Sequence, residues 1–145
     1  MTAGHGRMLS GRCCVKNGVG ALVMAAISLG VAPAAAAYPS DADSHGFVGY
    51  PGGRCAAADN ALAIGRTAQS LAVICQASSG TMYYMGYGLE NGLPVRVDKV
   101  LRYYSAGYTV NNIDAQYTVT PEMFEVDGAH SVLSREQWIE YWPSY

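Results

Sequence analysis

Lysine and arginine never cluster in this chain, and charge of either sign is sparse: nine basic and eleven acidic residues in 145. All eleven acidic residues lie beyond residue 37, against six basic ones there (Arg54, Arg66, Arg96, Lys99, Arg102 and Arg135), so that part carries a net charge of −5. An acidic chain without a basic patch lacks the electrostatic footprint of a nucleic-acid binder. It equally lacks the polybasic surface that holds a protein to anionic lipid. Catalytic signatures are missing too. No G-x-S-x-G elbow, H-E-x-x-H, C-x-x-C or Walker A pattern occurs, and no G-x-G-x-x-G, V-A-I-K, H-R-D or D-F-G of a protein kinase. No apolar run approaches the ~20 residues needed to cross a bilayer. The longest candidate, Val19–Val31, is diluted by Gly20, Ser28 and Gly30.

What that run does have is the right neighbours. Arg7, Arg12 and Lys16 precede it without any acidic residue, and Pro33 and Ala34–Ala37 follow. Basic, apolar, then small residues is the order of a secretory signal peptide, with cleavage expected after Ala37 and Tyr38 as the new N-terminus. The alternative is an uncleaved anchor. Cys13 and Cys14 come before the apolar run, where no lipid-acceptor cysteine would sit, and would leave with the leader. After cleavage no stable membrane insertion is expected, and the product would be secreted or held in the cell envelope. The 108 residues left suffice for one domain and are too few for two. The expected organisation is a signal peptide over 1–37, a flexible arm over 38–54 and a single β-domain over 55–145.

Cys55 and Cys75 are then the remaining cysteines, and in an oxidising compartment a pair reads as one disulfide. Closing that loop would contribute ~3 kcal/mol in the chain-entropy model. The alternative is two buried free thiols. A catalytic thiol would need a histidine, and His45 and His130 are both distant from the pair in sequence.

Period-two alternation dominates from about residue 61. Leu71, Val73 and Cys75 alternate with Ala72, Ile74 and Gln76; Tyr83, Met85, Tyr87 and Leu89 alternate with Tyr84, Gly86 and Gly88. Asn91-Gly92 before Leu93, Val95 and Val97 predicts a hairpin over Met82–Lys99 with a two-residue type I′ turn. Asp127-Gly128 predicts a second, and Asn111-Asn112 a third between Gly107–Val110 and Gln116–Val119. Helical signals are weak: a turn or two over 56–64, and a capping-box pattern at Ser134–Gln137 that competes with strand-like alternation of Trp138, Glu140 and Trp142. The expectation is an all-β fold, a small antiparallel barrel or sandwich of six to eight short hairpin-connected strands. Gly86 and Gly88 on one face predict a bulge or the close approach of another backbone, and the alternative is a ligand-contact surface.

Chemistry-bearing clusters are thin. Asp41-x-Asp43-x-His45-Gly46 opens like a calcium loop, but Gly52 stands where a bidentate Glu belongs, so no metal or cofactor is expected. His130 near Glu125 and Asp127 is the one acid/base candidate. The aromatic excess is the main functional hint. All eleven tyrosines and both tryptophans lie beyond residue 37, and exposed rings with wet hydroxyls mark binding surfaces. Tyr84, Tyr103, Tyr104 and Trp142 are the surface candidates, since each lies off the inferred inward face or beside charge; the alternative is that these rings build a β core.

From Leu71 to Tyr141 the run SLAVICQ…GTMYYMGYGLENG…YTV…DGAHSVLSREQWIEY resembles small exported actinobacterial, chiefly mycobacterial, proteins of unknown function. Related segments resemble extracytoplasmic companions of Ser/Thr kinases. The resemblance implies export and an envelope partner or extracellular ligand; it implies no catalytic residues, and 108 residues hold neither kinase lobe. The functional expectation is a non-catalytic β-domain that binds a partner or ligand. The alternatives are a small secreted hydrolase using His130, or a purely structural envelope protein.

Overall fold

The structure, a computed structural model, describes residues 37–103 and 107–144. The leader reading and Tyr104 therefore lie outside the described residues, and Tyr103 is described by its backbone alone.

The described chain is all-β, as its alternation predicts. A two-residue ribbon, β1 (Ala42–Asp43) and β2 (Gly46–Phe47), is followed by a 3-10 turn over Pro51–Gly53. Four strands then run as a meander: β3 (Asn60–Arg66), β4 (Ser70–Gln76), β5 (Met82–Gly88) and β6 (Pro94–Val97). The chain crosses to a second meander of β7 (Val100–Tyr103), β8 (Gly107–Asn111), β9 (Ala115–Val119), β10 (Phe124–Gly128) and β11 (Val132–Glu136). Finally β12 (Glu140–Pro143) returns to the first sheet and pairs antiparallel with β3. The result is two five-stranded antiparallel sheets, ordered β12-β3-β4-β5-β6 and β11-β10-β9-β8-β7, packed as a sandwich.

The count exceeds the six to eight strands expected, for identifiable reasons. Strand β3 occupies the stretch read as helix-prone, and its alanines and glycine carry no β signal. It is buried on both faces. The capping-box reading of Ser134–Gln137 also gives way, to β11 and β12. Two of the hairpin turns shift. The β5–β6 hairpin closes through four residues, with Gly92 at φ +69° donating its N–H to the Gly88 carbonyl at 2.8 Å. That positive φ is what asks for glycine there. The β10–β11 turn falls on Ala129-His130, where the Gly128 N–H bonds the Ser131 carbonyl at 2.8 Å.

The first sheet is covered on both faces. Between the sheets pack Ala72, Ile74 and Tyr84 from one side and Val110, Val119 and Phe124 from the other. The opposite face of the first sheet (Ile64, Leu71, Val73, Cys75, Tyr83) is covered by the segment expected to be a flexible arm. That segment is folded onto the sheet: Phe47 is 0% exposed, and Cys55–Cys75 form a disulfide with their Cα atoms 5.6 Å apart. Two ion pairs add to it. Asp43 bonds Arg54 at 2.7 Å, and both Asp41 carboxylate oxygens bond Arg66. The carboxylates of the calcium-like pattern are thus spent on guanidinium groups. The Arg54 partner, and next the His45 backbone N–H, hold the Asp43 carboxyl below its usual value.

Candidate functional site

The tyrosines sort into a core and a rim. Tyr84, expected on the surface, is 2% exposed. It belongs to an aromatic file between the sheets: Tyr117 to Tyr84 with centroids 5.1 Å apart, Tyr117 to Phe124 at 6.2 Å, Phe124 to Trp138 at 5.7 Å, and Trp138 to Tyr141 at 5.2 Å. Burial drives the Tyr84 phenol above its ordinary value, with the Tyr117 phenol and the Glu136 carboxylate adding to the effect. The alternation argument assigned Tyr83 and Tyr84 to opposite faces correctly. It missed that both faces of β5 are covered.

Trp142, another surface candidate, is half-buried and lies at 4.4 Å from the Tyr38 ring. It packs on the face under the N-terminal segment, far in kind from an open platform. The surface patch of four rings is therefore not what the described residues form: Tyr84 is core, Trp142 is a docking point for Tyr38, and the side chains of Tyr103 and Tyr104 lie outside the description.

Gly86 and Gly65 are seats for rings, while the Asn91 side chain lies over Gly88. A side chain at Gly86 would place its Cβ 2.7 Å from Cε1 of Tyr84, which lies flat along its own strand. Gly65 does the same for Trp138, with Cε3 at 2.7 Å, while the Trp138 indole N–H donates to the Thr120 carbonyl at 2.7 Å. The pairing of β5 with β4 and β6 runs without a register shift through Gly86, so the bulge expected there is replaced by ring-over-glycine packing.

Where β5 and β6 face β9 and β10, the sandwich opens into a cleft of about 240 Å³. Tyr84, Gly86 and Val95 form one wall, and Tyr117, Phe124 and Val126 the other. Ser70, Tyr87 and Asn91 also border it. No Asp, Glu, Lys, Arg or His lines it. Two other hollows, by the β8–β9 and β10–β11 turns and beside Glu136 and Trp138, lie against turns and connections and lack this two-sheet aromatic lining. The sequence signal that pointed to the cleft was the Gly86/Gly88 pair. The opposing wall, from strands about thirty residues further on, required the register.

Polar residues outside the cleft are taken up by structure. Glu136 accepts the hydroxyls of Thr67, of Ser134 at 2.7 Å and of Ser70 at 3.3 Å. It thereby ties β11 to the β3–β4 turn across the sheets, and Thr67 is itself buried. His45 places Nδ1 2.7 Å from the Asp59 carbonyl. His130 is exposed on its turn, and Glu125 is paired with Arg135. Among the described residues no helix is long and apolar enough to cross a membrane, and no cluster of three or more metal-ligating side chains forms. Comparison with protein-family models, curated proteins and solved structures returned no match, so the fold and its cleft are what describe this chain.

Proposed function

We propose that the protein is an exported, disulfide-stapled β-sandwich that acts as a non-catalytic binding module of the cell envelope or extracellular space. The observation that carries this reading is the inter-sheet cleft: concave, lined by rings from both sheets, and free of the nucleophile–base pairs that hydrolysis requires. Export is supported by the leader pattern and by the bridged Cys55–Cys75 pair. The hydrolase alternative has less support, since His130 stands on an exposed turn and Glu125, one of its two acidic candidates, is engaged by Arg135. Partnership with an envelope kinase, which the sequence resemblance implies, is a special case of the same reading.

Two measurements test it. Intact mass of the exported protein should start at Tyr38 and show no alkylatable thiol until reduction. Native mass spectrometry of that material should show a small-molecule adduct that Val126→Phe, which fills the cleft, removes. Adducts equal in both forms, or none in either, would contradict a binding role for the cleft.

A further inference from the structure

The shape and chemistry of the cleft narrow what it takes, and this inference rests on the binding reading above. Three rings set its inner end, and they are nearly parallel: Tyr117 and Phe124 lie at 7°, Tyr84 and Phe124 at 21°, and Tyr84 and Tyr117 at 23°. The facing rings Tyr84 and Tyr117 stack on each other with centroids 5.1 Å apart and close the inner end, so a ligand lies beside this stack, between Val95 and Val126 and against the Tyr117 ring. Offset stacking is the arrangement such rings offer a further ring.

Size sets the second limit. Drug-sized ligands occupy roughly 300–1,000 Å³, and a cavity of about 150 Å³ holds one benzene. A volume of about 240 Å³ therefore suits one six-membered ring with a small substituent.

Charge sets the third. With no ionised side chain in the lining, an ionic ligand would shed hydration without a counter-charge. An anion would also meet the field of Glu136, which already acts on Tyr84. The rim supplies a hydrogen-bonding group instead. Asn91 Oδ1 is engaged by the Leu93 N–H at 3.0 Å, which leaves the amide Nδ2 to donate.

We infer that the cleft binds a small, uncharged, planar aromatic ring carrying one hydroxyl or carbonyl group, seated between Val95 and Val126 against the Tyr117 ring with its polar substituent at Asn91.

The test is a titration of the ¹⁵N-labelled protein, reading the backbone amides of Gly86 and Gly88. Three probes of matched size separate the terms: p-cresol (planar, neutral), 4-methylcyclohexanol (non-planar, neutral) and 4-methylbenzoate (planar, anionic). p-Cresol should shift both amides saturably, with a dissociation constant on the order of 1 mM, which a single-ring ligand can reach. The other two should bind at least tenfold more weakly. Val126→Phe, or Val95→Phe should that variant fail to fold, should abolish the p-cresol shifts. Equal binding of 4-methylcyclohexanol would overturn the planarity argument, and tighter binding of 4-methylbenzoate the charge argument, while both would leave the cleft a binding site. Failure of all three to move Gly86 and Gly88 would overturn this inference; with the Val126→Phe-sensitive adduct still present the binding reading would stand, and without it both would fall.

Discussion

The two faces of the first sheet are covered in opposite ways. Toward the second sheet, cover comes from a long file of aromatic and β-branched side chains contributed by four of its strands, β7–β10, with the Glu136 hydroxyl cluster as its cross-tie. Toward the N-terminal segment, cover comes from one buried ring, Phe47, set in a stretch of glycine, proline and short polar residues. A segment of that composition buries little apolar area per ordered residue, so it is poorly placed to offset its own conformational entropy. It is held to the sheet by discrete pins, the Cys55–Cys75 bridge, the Arg66–Asp41 pair and the Tyr38–Trp142 ring contact, while the Arg54–Asp43 pair braces the segment internally. A broad core makes one face of the sheet self-sufficient, whereas the other depends on a few covalent and ionic ties.

The largest expected effect comes from breaking the broad face. Phe124→Ala should cost ~3–5 kcal/mol in urea unfolding and lower the stability of every element at once. Phe47→Ala lies in the same range, yet its loss should show first as exchange of the amides around Val48. Removing the bridge with paired Cys55→Ala and Cys75→Ala should cost ~3 kcal/mol. Gly86→Ala drives a Cβ into the flat Tyr84 ring and should cost ~1–3 kcal/mol as overpacking; a neutral result would mean the ring can lift off its strand.

The pH responses of the two faces should also differ. Asp43 has a lowered carboxyl in the folded state, so its contribution is present above the unfolded value near 3.9 and fades as pH falls through the lower folded one. Because Asp43 is well exposed, the effect should be small, seen as loosening of the N-terminal segment in acid. Tyr84 is shifted the other way. Its contribution is complete below about pH 10 and is lost as pH rises, so absorbance titration should show its phenolate forming only as the sandwich opens.

Much of this fold was legible where one face of a strand differs from the other. The β5–β6 and β8–β9 hairpins and the disulfide follow from alternation, turn residues and cysteine arithmetic. Strand β3 was blurred because its alanines and glycine name no element and residues 56–64 also fit a turn or two of helix. The N-terminal segment was illegible for a different reason: its ties are made by Arg66 and Cys75, which are distant in sequence, and nothing local announces them. The candidate patch failed at Tyr84 because burial depends on what the second sheet brings opposite β5. Only the paired glycines hinted that the cleft was there.

The most direct test of the central contrast is hydrogen exchange on the native protein, with the disulfide intact and then reduced. Val48 and Cys55, whose N–H groups bond the carbonyls of Asp41 and His45, report on the pinned layer; the amides of β9 and β10 report on the sandwich. Reduction should speed exchange at the first pair by about a hundredfold, the equivalent of ~3 kcal/mol, and change the second set at least tenfold less. Equal acceleration at both would contradict the account, because the N-terminal segment and the sandwich would then open as a single cooperative unit.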